Sequence, residues 1–367
     1  MLISLKEYNS VTDLGLSGHY DFMDNITGEE WEEIGRDISN NTLLGNIYFE
    51  AHVLCDGGMS SLFRGLTRSS SIRSMIFDSE AAIGPNEIRS MMPFLQNATS
   101  LMNLNFYCTY VTPEGFSLLL RALRDSSLQK LTFSSCGFDS NEIQIDEDCI
   151  PNNLRILYFR DNGKINADGC HQIAKLLRSE NATLEELHLE NNQIDHEGIS
   201  ILLNALQTNS SLKLLDLHRN EPNDYANEGI GLVGMKVVLK LMNDISSIES
   251  TLQSNHTLQC ITFKEKFAPV LTLNYEEGRI MGEISRMLEI NKRKHYSPAE
   301  AGKEKVIRTQ LDSKERAVWC HLQGVQHSDK PLTKLGPLLL PEALALVSKH
   351  HGLSEFYGSF RTSVADL

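Results

Sequence analysis

The chain has 367 residues, of which 41% are hydrophobic and 22% charged, as in an ordinary globular protein of one or two domains. Its net charge of −14 argues against a general nucleic-acid binder, because phosphate binding needs a basic face. The first 263 residues carry 18 basic and 35 acidic side chains, whereas the remainder has a balance of +3. This acidic body could steer basic partners, or it could serve only solubility.

The beginning of the sequence lacks a basic segment followed by an unbroken apolar core, and no apolar run is long enough for a membrane span. The seven cysteines form no CxxC pair, so we expect reduced thiols in a cytoplasmic or nuclear protein. The basic tract Lys292–His295 is compatible with nuclear import, although a solvated charge run is the better explanation. We expect no membrane partner and no cofactor.

The first predicted element is a helix in TGEEWEEIGRDISNN. Thr27 and Glu30 have the spacing of a capping box, in which each side chain satisfies a free amide at the helix start. The apolar stripe behind it consists of Trp31, Ile34 and Ile38. We therefore predict that residues 1–43 form an N-terminal helical cap.

A triplet of apolar residues, spaced by three and then by two positions, recurs through the next 220 residues. The last two members of each triplet share one face of a short strand. All but one of the steps between copies are close to 28 residues long. The eight copies begin at Leu44, Ile72, Leu101, Leu128, Leu154, Leu184, Leu212 and Leu258.

A polar residue follows each of the later strands after three positions, as Asn162, Asn192 and Asn220 show. These amides can bond backbone groups of the turn that leaves the strand, and Cys136 takes the same place in its own copy. The copies at Ile72 and Leu101 lack the Asn, so more irregular turns are expected there.

A helical pattern follows each strand, for example in DHEGISILLNALQ, and begins near an Asp or Pro. Asn97, Asn181 and Asn209 end such helices, where Asn tolerates the left-handed backbone. The last step measures 46 residues, which predicts a lengthened or second helix on the convex side.

The pattern LxxLxLxxNxI resembles the leucine-rich repeat family, and its length resembles the ribonuclease-inhibitor-like subclass. The resemblance implies an α/β fold, a leucine-rich repeat horseshoe solenoid with parallel strands on the concave face and helices on the convex face. Stacked copies of this kind share one core and need caps at both ends. We place the solenoid of eight units at residues 44–263.

Residues 264–367 are predicted to form a helical C-terminal extension with a flexible start at 264–300. Its segments KVIRTQLDSKER and LLLPEALALVSKHHG resemble an extension in uncharacterised leucine-rich repeat proteins from diatoms. That resemblance implies a family-specific cap.

The sequence contains none of the common catalytic or phosphate-binding motifs, so we expect no catalytic residues and a protein that is not an enzyme. His350 and His351, or His188 and His218, could bind a metal. The second pair lies in different strand columns, however, and we expect surface histidines without a metal.

Residues that alternate with the core should point out of the concave face, where aromatic and charged side chains mark protein-binding sites. An exposed sheet presents such residues in any case, so the signal is modest. The candidate partner-binding residues are Tyr48, Tyr107, Tyr158, Arg160, Glu186, His188, Glu190, Asp216 and His218.

The predicted function is therefore that of a non-enzymatic scaffold, which binds a protein of unknown identity on its concave face. The alternative is a regulator of a small GTPase, because the fold is similar to that of the Ran GTPase-activating protein. Arg160 is the one concave arginine that could serve such a role.

Overall fold

A computed structural model describes residues 12–16, 26–50, 58–78, 82–179, 182–220, 231–246, 248–263, 275–293 and 297–309. These residues contain one parallel sheet, whose strands follow each other in chain order. The strands are β1 Asp13–Leu16, β2 Asn46–Glu50, β3 Ser74–Asp78, β4 Asn103–Tyr107, β5 Lys130–Ser134, β6 Ile156–Tyr158, β7 Glu186–His188, β8 Leu214–Asp216 and β9 Cys260–Thr262.

Helices connect consecutive strands except β5 and β6, so that strand and helix alternate along most of the sheet. The α-helices are α1 Gly28–Asn40, α2 Gly58–Leu66, α3 Pro85–Asn97, α4 Pro113–Leu123, α5 Ala167–Arg178, α6 His196–Ala205, α7 Gly231–Met242, α8 Ile248–Leu252, α9 Tyr275–Lys292 and α10 Pro298–Thr309. Between β5 and β6 the predicted helix is replaced by two 3-10 turns, Ser140–Glu142 and Glu147–Cys149. Ile143 and Ile145, two positions apart, are both buried there, which suits an extended chain rather than a helix.

The chain divides into two compact units. The first, residues 1–242 with 255–292, holds the whole sheet and has the predicted architecture of a leucine-rich repeat horseshoe solenoid, with strands on one face and helices on the other. The second, residues 243–254 with 293–367, holds α8 and α10, which pack on each other. Among the residues that the structure describes, no helix is long and apolar enough to cross a membrane.

The core consists of the predicted triplets, all of which are buried. Six repeats place a phenylalanine at the third position, and in the first five of them, which are consecutive, the rings stack along the sheet with centroid separations of 4.9 to 5.3 Å. Burial of such rings dominates core energetics, and offset stacking adds about 0.5–1.5 kcal/mol per pair. The stacked rings are Phe49, Phe77, Phe106, Phe133 and Phe159.

The predicted role of the strand-terminal asparagines is confirmed. Asn220 donates from Nδ2 to the carbonyl oxygens of Leu189 and Leu217, at 2.7 and 3.0 Å. Its Oδ1 accepts from the amides of Asn192 and Ile194, at 3.1 and 3.2 Å, so one side chain ties two adjacent turns together.

Other polar side chains fill the same place in earlier copies. Cys136 Sγ contacts the carbonyl oxygens of Phe106 and Ser134 at 3.3 and 3.4 Å. In the copy that begins at Leu101, where an irregular turn was expected, Thr109 Oγ1 donates to Tyr107 O at 2.8 Å. A hydroxyl therefore replaces the amide in this turn.

The helix-end asparagines work differently from the prediction, because neither Asn97 nor Asn209 has a left-handed backbone. The side chain of Asn209 instead accepts from the amides of Ser211 and Leu212, at 3.1 and 2.8 Å, where the chain turns toward β8. Asn181 lies outside the described residues.

The N-terminal cap contains more than the predicted helix. The capping box of Thr27 and Glu30 is present, and Trp31 and Ile38 are buried. Ahead of α1, however, β1 pairs in parallel with β2, so the sheet has one strand more than the eight predicted units.

The C-terminal extension departs from the prediction at its start. Residues 275–292, expected to be flexible, form α9, which packs on α7 and buries Ile280, Ile284 and Met287. The long step to β9 contains a second helix, as predicted, in α8. Residues 310–367, with most of the segments that resemble the diatom proteins and with His350 and His351, lie outside the described residues.

Candidate functional site

The strand register places the predicted concave residues in one row. Tyr158 of β6 pairs with His188 of β7, which pairs with Asp216 of β8, which pairs with Thr262 of β9. The apolar residues directly before them, three leucines and Ile261, point into the core, so these four side chains point the other way, onto the strand face.

In three of these repeats, the residue at which the chain leaves the strand face has a left-handed backbone conformation. Asp161, Asn191 and Arg219 have φ values of 59°, 55° and 57°. This conformation costs a non-glycine residue about 1 kcal/mol, and its recurrence bends the chain out of the sheet at the same point in each repeat. Arg160, Glu190 and His218, directly before these residues, are thereby brought to the same edge of the row.

Seven of the predicted residues form one group, which we call the strand-face cluster. Its members are Tyr158, Arg160, Glu186, His188, Glu190, Asp216 and His218.

Tyr158 and His188 form the aromatic centre of the strand-face cluster. Their rings stack with a centroid separation of 4.0 Å and an interplanar angle of 14°. Lys130 Nζ lies 4.8 Å and the Arg160 guanidinium 5.8 Å from the Tyr158 ring centroid, within the range of cation–π attraction. Burial, followed by the nearby carboxylates of Glu186 and Glu190, raises the pKa of Tyr158.

Three carboxylates surround the imidazole of His188. Nε2 lies 3.3 Å from Glu186 Oε2, while Nδ1 lies 3.9 Å from both Glu190 Oε2 and Asp216 Oδ2. Only 13% of the His188 side chain is exposed, so these contacts are screened less than those of a surface pair.

Glu190 is the most buried acid of the strand-face cluster, with 8% of the residue exposed. Burial raises its pKa, and the negative charge of Asp216 adds to the shift, whereas His188 and Arg160 oppose it. The Arg160 Nη1 atom lies 3.9 Å from Oε1. The other oxygen, Oε2, is buried and has no hydrogen-bond partner among the described residues.

Hydrogen bonds fix one carboxylate oxygen of Asp216. Its Oδ1 atom accepts from Thr262 Oγ1 at 2.5 Å and from the backbone amide of His218 at 3.2 Å, and lies 2.6 Å from His218 Nδ1. Burial alone would raise the pKa of Asp216, but the hydrogen bonds from Thr262 and His218 outweigh it, and the pKa lies below its ordinary value.

Two predicted residues are not members of the strand-face cluster, although Tyr107 is near enough to contribute to the raised pKa of Tyr158. Tyr48 is four strands from Tyr158, about 19 Å at the usual strand spacing, and donates to Asp78 Oδ2 at 2.8 Å. Tyr107 ends β4 and is half-buried, opposite Ser134. Between Tyr48 and Tyr158 the row contains the half-buried Ile76, followed by Asn105 and Thr132, which are buried and hydrogen-bonded to each other at 2.8 Å.

Sequence reasoning missed three residues that organise the site. Lys130 reaches Tyr158 from the next strand, Ser134 accepts from Arg160 Nε at 3.2 Å, and Thr262 holds Asp216. Ser134 aligns with Arg160 and Thr262 aligns with His188 when the repeats are superposed, so a search for hydrogen-bonding neighbours across repeats would have found them. Lys130 lies two residues before Thr132, the residue of its repeat that aligns with His188.

Comparison with known proteins gives distant similarities. No protein-family model matches the chain. It is 25% identical to the mouse Centrosomal protein of 78 kDa over 52% of this chain and 23% of that protein, and 22% identical to mouse Ribonuclease inhibitor over 62% and 48%. The chain thus spans between a quarter and a half of the length of these curated relatives.

Among solved structures, the tropomodulin C-terminal domain of Caenorhabditis elegans aligns with a TM-score of 0.31 and 16% identity, over 56% of this chain and 92% of that one. The similarity to Ribonuclease inhibitor agrees with the repeat length, the parallel sheet and the asparagine turns described above. The chain accordingly has the leucine-rich repeat fold of the ribonuclease-inhibitor-like kind.

Proposed function

We propose that the chain is a scaffold that binds a protein partner through the strand-face cluster. The observation that carries the proposal is the stacked pair of Tyr158 and His188, flanked by two cations and three carboxylates on the strand face. Rigid aromatic residues beside charges are the usual anchors of protein interfaces. The similarity to Ribonuclease inhibitor, a protein named for inhibiting another protein, supports the same class of function.

The charge of the molecule indicates what kind of partner would be favoured. The first 263 residues have a net charge of −17, and Glu186, Glu190 and Asp216 add a local concentration of acid. Such a field attracts a basic surface and speeds its association. We therefore propose a partner with lysine or arginine side chains at its contact surface.

A regulator of a small GTPase remains the alternative from the sequence, and the comparisons do not support it. Arg160, its only candidate residue, contacts Ser134, Glu190 and the Tyr158 ring. Measurement of single-turnover GTP hydrolysis by a panel of small GTPases would decide the question, and acceleration by the wild-type chain but not by Arg160→Ala would establish it.

The test of the scaffold proposal is affinity capture from a lysate of the source cells with three baits. These are the wild type, the variant Tyr158→Ala/Glu186→Ala, and the control His196→Ala/Glu197→Ala, whose two exposed residues lie on α6. A protein retained by the wild type and the control but lost with the strand-face variant supports the proposal. Its retention should fall as salt is raised, because surface charges are then screened.

Equal recovery of the same proteins by all three baits would contradict the proposal. Loss of a protein with the α6 control alone would place its binding surface on the helices instead.

A further inference from the structure

The strand-face cluster also contains three side chains whose free donor atoms converge on one point. The nearest ligand atoms of His188, Glu190 and Asp216 all lie within 4.8 Å of one another. From this convergence we propose that the three residues bind a divalent transition-metal ion, with zinc as the most suitable one. The proposal does not depend on the proposed function, because a metal can bind with or without a partner protein.

The first argument concerns which carboxylate oxygen of Asp216 and of Glu190 is available for a metal ion. Asp216 Oδ1 is occupied by Thr262 and His218, which leaves Oδ2 facing His188 Nδ1 at 3.9 Å. Glu190 Oε1 faces Arg160, which leaves Oε2 facing the same nitrogen at 3.9 Å. Each carboxylate is thus oriented by one oxygen and presents the other one toward His188.

The second argument is the unsatisfied oxygen of Glu190. Oε2 is buried and has no hydrogen-bond partner among the residues that the structure describes. A buried carboxylate oxygen without a partner is expensive, and a second carboxylate nearby makes it more so. A divalent cation between Glu190 and Asp216 would neutralise both charges and occupy that oxygen.

The third argument is the contact that the second ring nitrogen of His188 makes with Glu186. His188 Nε2 lies 3.3 Å from Glu186 Oε2, so Nδ1 can be the unprotonated nitrogen while Nε2–H donates to the carboxylate. Metal-binding histidines almost always carry such a partner on their second nitrogen, which fixes the tautomer and the ring orientation. Glu186 is therefore a positioning residue and not a ligand.

The ligand set and the distances fit zinc after a small adjustment. Zinc takes histidine nitrogen and carboxylate oxygen at about 2.0–2.2 Å, which places the ligand atoms roughly 3.4 Å apart in a tetrahedron. The two separations of 3.9 Å from His188 Nδ1 need a contraction of about half an ångström. The three ligand atoms lie within 4.8 Å of one another, so the oxygens of Glu190 and Asp216 must approach by up to about 1.4 Å, which requires rotation of both side chains. A fourth position would face the open strand face and hold water or an atom from a bound protein.

Sequence reasoning did not predict this site, because it considered His188 with His218. The two histidines do stand in different columns, and His218 contacts Asp216 instead of sharing a ligand position with His188. The site arises from one histidine and two acids on two adjacent repeats, a combination that becomes visible only when the strands are in register.

The experiment is isothermal titration of the full chain, first treated with a chelator, with Zn²⁺ and with Co²⁺. Co²⁺ also reports its coordination by visible absorption. We expect one ion to bind per chain in the wild type. The isosteric changes Glu190→Gln and Asp216→Asn should each abolish this binding, and Glu186→Gln should weaken it by roughly 10- to 100-fold.

His196→Ala and Glu197→Gln, on the exposed surface of α6, are the matched controls and should leave the affinity unchanged. Circular dichroism of each variant shows that the chain is folded. The proposal is overturned if the wild type binds no ion with defined stoichiometry. It is equally overturned if binding survives unchanged in either isosteric variant, or if the α6 controls lose it as well.

Discussion

The Tyr158 ring lies against the His188 ring at 4.0 Å, although the two residues are a full repeat apart in the sequence. Parallel register makes them direct neighbours on β6 and β7, and each ring covers one face of the other. A pair of rings held in this way loses little conformational freedom on binding, which is the property of an interface anchor.

Removal of the Tyr158 ring should therefore weaken partner binding strongly. We expect Tyr158→Ala to cost about 2 kcal/mol or more in binding free energy, the usual scale of an aromatic hot spot. Tyr158→Phe keeps the ring and its contacts with Lys130 and Arg160, and should bind nearly as well as the wild type. Titration of the captured partner with the three proteins checks this, and equal affinities for Ala and Phe would show that the ring is not an anchor.

The asparagine turns give a stability prediction. Asn220→Ala removes four hydrogen bonds and leaves buried backbone groups of Leu189, Leu217, Asn192 and Ile194 without partners. We expect a loss of about 2–4 kcal/mol in the free energy of unfolding, since each orphaned buried group costs on the order of 1–3 kcal/mol and the turns can partly relax.

Urea unfolding of the variant, followed by circular dichroism, measures this loss. Asn204→Ala is the matched control, because Asn204 is exposed on α6 and alanine is the better helix former there. A loss of similar size in both variants would show that the Asn220 side chain has no special role.

The stacked phenylalanines give a second stability prediction, centred on Phe133. Its ring contacts Phe106, Phe159 and Phe116 at centroid separations of 5.2 to 5.4 Å and is fully buried. Phe133→Ala should cost about 3–5 kcal/mol in the free energy of unfolding, because it leaves a cavity in the core.

Phe133→Leu should cost clearly less, because two later repeats have Leu189 and Leu217 at the same position and leucine fills much of the space. Thermal unfolding of both variants tests the ranking. If alanine and leucine were equally destabilising, stacking of the rings rather than volume would control this position.

Cysteine labelling tests the placement of the repeats. Burial raises the pKa of Cys136 to about 12 and raises that of Cys170 further, whereas Cys108 is exposed. In the folded protein at about pH 8, maleimide should modify Cys108, while Cys136 and Cys170 should react only after unfolding in urea, because the thiolate is the reactive form. Peptide mass mapping distinguishes the sites, and rapid labelling of Cys136 in the folded chain would contradict its interior position.

The periodic part of the structure was accessible from the sequence, and the side-chain contacts were not. The spacing of Leu187 and Leu215 places His188 beside Asp216, because every repeat has the same register. No spacing rule, however, predicts that Glu190 is buried with a free oxygen, since this depends on the left-handed turn at Asn191 and on the position of Arg160.

The departures at the ends have a similar physical origin. The strand Asp13–Leu16 is short and half-exposed. The triplet spacing is present in Val11, Leu14 and Leu16, but this copy lies 33 residues before Leu44, outside the 28-residue period, so it was not predicted. Ile280, Ile284 and Met287 do have helical spacing, but the polar residues around them obscured the apolar stripe that α9 buries. The structure of such terminal elements depends on the solenoid surface on which they pack more than on a pattern in their own sequence.

The opposite pKa shifts of Glu190 and Asp216 give the last prediction, for the protein kept free of metal by a chelator. Asp216 has a lowered pKa, so its charged form stabilises the fold at neutral pH, and this contribution is lost as the pH falls below about 4. Glu190 has a raised pKa, so the folded state favours its protonated form. The contribution of Glu190 to the free energy of unfolding is fully present below about pH 4 and is lost as the pH rises through the folded pKa.

Replacement by the neutral isosteres should consequently have opposite effects in the same pH range. Glu190→Gln should raise the thermal unfolding midpoint at pH 7 relative to the wild type, whereas Asp216→Asn should lower it. The Glu190→Gln difference should shrink as the pH falls toward about 4, whereas the Asp216→Asn difference should persist to about pH 4 and shrink below it. If Glu190→Gln instead lowered the midpoint at pH 7, the attraction of Glu190 to His188 and Arg160 would outweigh its burial, and the need for a cation at Oε2 would disappear with it.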